Sequence, residues 1–325
     1  MRQIAIFAGV FLFGTGAFAA DSQLMNLVMP DAKILAGVNV VTAQISHFGQ
    51  YVLTHVANSD KDLQALIALT GFDPRRDVTE ILVASNGSLT GQNALVLAKG
   101  SFDVSQLADL MSRDKKGLVT QYNGATLISG ADPKNKAVFA FIGNSVALAG
   151  DLASVKAAID RSSGANSVSP ELATRVQTLS TTEDAWSVSL ASIGSLIPNV
   201  GDGQAKTPGA ETFQLVKNIQ SSSGGVKFGS TVDIVGQAVS DTPQNATALA
   251  DIIRMVSSLV AMGASQNPAA GAAGQMLQNL KIATNGPTVD ISLSIPEADL
   301  EALLKSVSAN GPAGASEGKL KARRL

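Results

Sequence analysis

Within residues 280–307 the hydrophobic period changes once, and that change sets the pattern for much of the chain. Val289, Ile291, Leu293 and Ile295 alternate with Thr288, Asp290, Ser292 and Ser294, the period of a half-buried strand. A tight turn at Asn285-Gly286-Pro287 joins this strand to a preceding one that starts at Leu280. Pro296 then stands where the first turn of a helix tolerates proline, and Glu297 and Asp299 sit where the helix dipole favours anions. Leu300, Leu303, Leu304 and Val307 form one apolar stripe on that helix. The stretch therefore reads as hairpin, then helix.

The same unit recurs upstream. Residues 33–41 read as a first strand, and residues 43–57 as a helix with Ile45, Phe48, Val52 and Val56 at helical spacing. Asp60 or Ser59 caps a second helix carrying Leu63, Leu66, Ile67 and Leu69, which stops at Gly71. One unit pairs strands at 81–84 and 94–98, followed by a helix with Val104, Leu107, Leu110 and Met111. Asn123-Gly124 marks a further hairpin. The next unit pairs 137–142 with 145–149 across Gly143-Asn144, and Asp151 caps its helix. Residues 161–169 are a polar joint before a short bridging helix at 170–179. Beyond it come a strand at 185–190, a Gly/Pro-rich loop at 198–210 and a helix with Phe213, Val216 and Ile219. Residues 226–239 form either one bent strand or a hairpin near Gly229, followed by a long helix with Leu249, Ile252, Ile253, Val256, Leu259 and Val260 on one face. A small-residue loop at 263–274 separates it from the last unit.

Hairpins build antiparallel sheets, and helices with a single apolar stripe must gather on a sheet's apolar face. The expected fold class is α+β: two tandem ferredoxin-like sandwiches, antiparallel sheets with helices on one face, built of repeated β-β-α units. The boundaries expected are 1–20 for a signal peptide, 21–168 and 169–308 for the two α+β domains, and 309–325 for a disordered basic tail. One continuous large sheet is the rival arrangement.

The leader reading rests on a short basic start, an apolar run at 4–14 and an Ala-x-Ala signal at Ala17-Phe18-Ala19. The run is shorter than the roughly 20 residues of a membrane span. Cleavage near Ala19 or Ala20 would send the chain to the periplasm or outside the cell, with no transmembrane span in the mature chain. The chain contains no cysteine, which rules out both a disulfide and a lipid-modified cysteine after the leader. An exported chain without disulfides depends on its core, and 45% hydrophobic residues over 325 positions suffice for one. Aromatics are only 4%, so Ala, Val, Leu and Ile must fill that core. A net charge of −2 gives no electrostatic footprint for nucleic acid.

Candidate chemistry is sparse. The two histidines, His47 and His55, share the first helix and lie about 12 Å apart along its axis. That spacing cannot serve one metal ion, and with Tyr51 they make a polar or interface stripe. No nucleophile elbow, zinc-protease motif, calcium loop or phosphate loop occurs, and the two S-x-x-K matches at Ser112 and Ser316 lack the companion motifs. The turn 71–77, GFDPRRD, has two readings. Arg75 and Arg76 could hold an anionic ligand, or Asp73 and Asp77 could pair with them and close the turn locally. No catalytic residue, cofactor or metal site is expected. Arg75, Arg76, His47, Tyr51 and His55 remain as possible interaction or anion contacts. Lys319, Lys321, Arg323 and Arg324 in the tail could touch an anionic envelope surface weakly.

The segments GFDPRRDVTEILVAS, SVALAGDLASVKAAID and VKFGSTVDIVGQAVSDTPQNATALADIIRMV carry a resemblance. The chain resembles, over most of residues 24–307, exported bacterial (acidobacteria-like) proteins that carry a domain of unknown function. The shared features are a leader, a Gly-Φ-Asp-x-x-x-Asp turn before a hairpin, and alternating hairpins and helices. The resemblance implies an exported two-part protein and brings no catalytic residues. The functional expectation is a non-enzymatic protein acting by interaction, with an envelope protein as partner. The alternatives are a binder of small molecules or lipids in an inter-domain cleft, and a hydrolase with an atypical site.

Overall fold

The computed structural model describes residues 19–59, 64, 67–68, 71–87, 94–113, 117–130, 137–165, 167–196, 215–262 and 268–310. Residues 1–18 of the leader expected over 1–20, the loop at 198–210, most of the helix after Ser59 and the tail beyond 310 lie outside these residues. In chain order the elements are α1 (Ser22–Leu27), β1 (Ile34–Asn39), α2 (Val40–Ile45), α3 (His47–Ser59), α4 (Pro74–Asp77), β2 (Val78–Ser85) and β3 (Ala94–Gly100). Next come α5 (Val104–Arg113), β4 (Gly117–Tyr122), β5 (Ala125–Gly130), β6 (Ala137–Ile142), β7 (Val146–Asp151), α6 (Leu152–Arg161) and α7 (Pro170–Thr182). The remainder is β8 (Ala185–Ser189), α8 (Ile193–Leu196), β9 (Ile219–Lys227), β10 (Thr231–Ser240), α9 (Pro243–Met262), α10 (Pro268–Leu277), β11 (Lys281–Asn285), β12 (Thr288–Pro296) and α11 (Glu297–Asn310).

All twelve strands join one sheet in the order β11-β12-β10-β9-β8-β1-β2-β3-β7-β6-β5-β4. Every pairing is antiparallel. The α+β class with hairpins and helices stands as expected. Two separate sheets do not form, because β1 of the first half pairs with β8 of the second from Ile34↔Ser189 to Val38↔Ala185. Read outward from that seam, the halves share one order: β1-β2-β3-β7-β6 on one side and β8-β9-β10-β12-β11 on the other. The hairpin β4-β5 is extra to the first half and extends its edge.

Helices cover both faces, not one. On one face Leu35, Leu82, Leu95, Leu97, Leu148 and Val188 are buried under α1, α6 and α7, which contribute Leu24, Leu27, Val155, Ile159 and Leu172. The opposite face carries two smaller clusters. Val40, Phe102, Phe141 and Ile128 pack with Leu53 of α3 and Leu107 of α5, while Ile219 and Val289 pack with Leu249 and Ala250 of α9. The reason lies in β2, β3 and β6: ILVA, ALVLA and AVFAFI are apolar on both faces, which is how strands covered on both sides read.

Local departures have local causes. The helix expected over 43–57 breaks at Ser46, whose hydroxyl accepts the Gly49 N–H at 2.8 Å and starts α3 afresh. A Cβ on Gly49 would stand 2.2 Å from the Ala43 carbonyl oxygen, so the bend requires glycine there. Part of the small-residue loop at 263–274 is the helix α10 instead. Its alanines are good helix formers, and at Gly274 a Cβ would stand 2.8 Å from the Ala261 Cα, so a small residue lets α10 close onto α9. The helix expected through Ile219 gives way to β9, which opens at that residue and ends in a hairpin to β10 around Gly229.

Candidate functional site

The turn at Gly71–Asp77 closes on itself. The Asp73 carboxylate accepts from Arg75 Nε at 2.9 Å and Nη2 at 2.7 Å, and also from the Arg75 backbone N–H. Asp77 accepts from Arg76 Nε and Nη2, both at 2.7 Å, and Arg76 also donates to the Gly71 carbonyl. The Arg75 side chain holds the Asp73 carboxyl below its ordinary range, and Arg76 does the same for Asp77, in each case against some desolvation. A carboxyl with a depressed folded pKa stabilises above its unfolded value of about 3.9 and stops doing so as pH falls through the folded one. Arg75→Gln should therefore let the Asp73 pKa rise toward the ordinary value while the fold persists. Carboxyl carbon shifts followed through a pH titration would report it, and an unmoved Asp73 would contradict this account.

The expected histidine stripe lies along α3, and the His55 side chain is outside the described residues. His47 Nδ1 lies 3.8 Å from Glu297 Oε2 with its side chain 85% exposed, at the rim of an open crevice of about 520 Å³ that also includes Asp184, Lys227 and Phe228. Tyr51 is half-buried on the same helix, and His55 follows one helical turn later. No group of three His, Asp or Glu residues suited to a metal ion occurs among the described residues. The buried Asp184 is occupied by Lys227 Nζ at 3.3 Å and the Phe228 N–H at 2.7 Å.

Two parts of the sheet remain open, for opposite reasons. Over the second half, on the face that α7 covers elsewhere, β12 presents Asp290 and Ser292, and β10 presents Gln237. With so little to bury, no described helix covers them, and α7 walls a groove of about 490 Å³. Thr174, Arg175, Gln237, Lys281 and Asp290 line it. This groove lies within the second half, whereas the expected ligand cleft lay between the halves. Arg175 is not free there: it donates to Glu171 at 2.9 Å and sits 3.4 Å from the Ser221 hydroxyl.

The other opening is apolar. The register places Phe139 beside Ala149, Ala149 beside Val96, Val96 beside Val83 and Val83 beside Ala36, one rung crossing five strands on a single face. Phe139, Val96 and Val83 are 54%, 44% and 39% exposed. In the second half α9 covers the corresponding strands β10, β11 and β12. In the first half α5 is only 10 residues against the 20 of α9, and it packs on the extra hairpin β4-β5. The insertion draws the covering helix outward and leaves the rung bare. These residues were not among the sequence candidates. Their signal was the apolar run on both faces of β2, β3 and β6, which requires a cover on each side.

α9 itself is long and apolar enough to cross a membrane, by length and composition, with a mean hydropathy of 1.2. Ala246, Leu249 and Ala250 fix one of its sides on the sheet, and Met255, Val256, Leu259 and Met262 are exposed. Val256 and Leu259 thus leave the buried stripe expected for them, because the helix outruns the strands beneath it.

No protein-family model matches the sequence, and no curated protein matches it. Among solved structures the chain is similar to crystal form I of TP0453, with a TM-score of 0.52 and 10% identity over 89% of this chain and 99% of that one. Crystal form IV of the same protein gives a TM-score of 0.53 and 8% identity over 89% and 97%. At such identity the likeness establishes a shared fold across nearly the whole chain.

Proposed function

We propose that this is an exported, non-enzymatic protein that binds an apolar helix of an envelope protein across the open rung of the sheet. The observation that carries the reading is the exposed row Phe139, Val96 and Val83, left bare where the second half places α9. An amphipathic helix laid there would repeat a packing the fold already uses. Uncovered apolar surface in the middle of a sheet costs solubility, and such patches mark contact sites. The leader, the resemblance to exported bacterial proteins and the periplasmic or secreted location belong to this same proposal. So does the derivation of the two halves from one duplicated β-β-α assembly, which their matching strand orders support.

A photo-crosslinking residue at Val96 or Phe139, introduced in the native host, should give one discrete adduct with an envelope protein. The same probe at Thr120, on the edge strand, should give none. Val96→Asp should abolish co-purification of that partner with the thermal melting curve retained. Equal adducts at all three positions, or full partner recovery with Val96→Asp, would sink the reading.

A further inference from the structure

We propose that the chain is cut between Ala19 and Ala20, and that the α-ammonium released on Ala20 becomes a structural group held by the Ser180 hydroxyl beside Glu80. This rests on the exported reading above and adds a role for the new terminus inside the fold.

The first observation is where the fold begins. Ala19 is exposed and Ala20 half-buried, and within a few residues Leu24, Leu27 and Val28 are 0%, 1% and 0% exposed in the largest core. Removing anything beyond Ala20 starts to strip contacts from that core. Ala17 and Ala19 occupy the small-residue positions of a leader-peptidase site, which puts the cut at the edge of the packed structure.

The second observation is what surrounds the new terminus. The Ala20 nitrogen lies 3.0 Å from the oxygen of Ser180, a buried hydroxyl near the end of α7. The next nitrogen, that of Asp21, donates to both oxygens of Glu80 at 3.1 and 3.3 Å. Consecutive backbone nitrogens stand no more than about 3.7 Å apart, so the Ala20 nitrogen is within about 7 Å of that carboxylate. Asp21 and Lys99, which pair with each other, are the other charged groups at this point. Burial pushes the Glu80 carboxyl up from its ordinary range and the Asp21 charge adds to that, while the Asp21 N–H and Lys99 oppose it. A cation within about 7 Å of Glu80 would favour the ionised form.

The chemistry is a peptide hydrolysis by a leader peptidase. The bond from the Ala19 carbonyl carbon to the Ala20 nitrogen breaks, and water supplies the oxygen of the Ala19 carboxylate. The two protons of that water leave the Ala20 amine as an ammonium at neutral pH. One peptide donor to Ser180 becomes a three-proton cation at the same place.

The test compares the chain beginning at Ala20, which keeps every residue of the three apolar clusters, with the same chain acetylated at that amine. Nitrogen NMR of Ala20 should show the amine titrating above the ordinary range of about 7.7–8.0. Glu80→Gln should return it to that range, and should lower the melting temperature of the free-amine form more than that of the acetylated form. An amine that titrates in the ordinary range in the unmodified sequence overturns the proposal by itself, whether or not Glu80→Gln folds. Equal melting shifts in both forms overturn it too. Expression of the full chain in an exporting host, followed by intact mass, separates the two readings. A mature chain starting elsewhere defeats this inference, and an uncut chain defeats the export reading beneath it.

Discussion

Leu24→Ala should cost about 2–5 kcal/mol of folding stability, the range for truncating a fully buried leucine. Leu24 is 0% exposed, and it belongs to the core that Leu35, Leu82, Leu95 and Leu148 build from four strands. Its helix α1 is only six residues and has little intrinsic stability. Capping by Asp21, which accepts from the Gln23 and Leu24 N–H groups, orients it. The Arg161 guanidinium, bonded to the Leu27 carbonyl at 2.9 Å, ties down its far end. The environment cannot collapse easily into the void, because the leucines beneath stand on paired strands with little freedom to move. Urea unfolding followed by far-UV circular dichroism would measure the loss. Gln23→Ala, exposed on the same helix, should change stability by no more than about 0.5 kcal/mol. If Leu24→Ala were equally harmless, α1 would not be part of the core.

That segment shows both the reach and the limit of reading the chain. Leu24, Leu27 and Val28 stand at helical spacing, yet a six-residue element just before a strand gives too short a window for periodicity to declare a helix. The hairpins were legible for a firmer reason. Asn123 and Gly124 both adopt positive φ, 45° and 81°, and Gly143 and Gly286 do the same at 56° and 57°, so those turns demand the residues found there. The long-range order was not legible. The β1·β8 seam is made by backbone groups at two strand edges, and either edge would have read identically had it remained exposed. Nor does a single-stripe helix say which face of a sheet it will cover: α6 lies on one face and α9 on the other. At the turn, the choice between ligand and local closure was open in the sequence. The guanidinium–carboxylate geometry of Arg75 and Arg76 shows both arginines occupied internally.

The seam gives the second large effect. Trp186→Ala should cost about 3–5 kcal/mol, and the loss should be felt on both sides of the β1·β8 pairing at once. Trp186, 7% exposed, pairs in register with Gly37 of β1, and its ring lies over that position, which carries no side chain. A Cβ on Gly37 would stand 2.5 Å from the Trp186 ring, which means the indole occupies the space that a side chain on the neighbouring strand would fill. Because Trp186 joins the same core as Leu24, Leu95 and Leu148, removing it opens a cavity where the second half meets the first. Hydrogen exchange should therefore show β3 and β7 losing protection together with β9 and β10. Gly37→Val, which leaves the indole in place and forces it to move, should produce the same joint loss and a red shift in the fluorescence of the chain's single tryptophan. Exchange confined to the second half in both variants would mean that the halves unfold independently. The continuous sheet would then be an edge contact between two folding units, with each half holding its own stability.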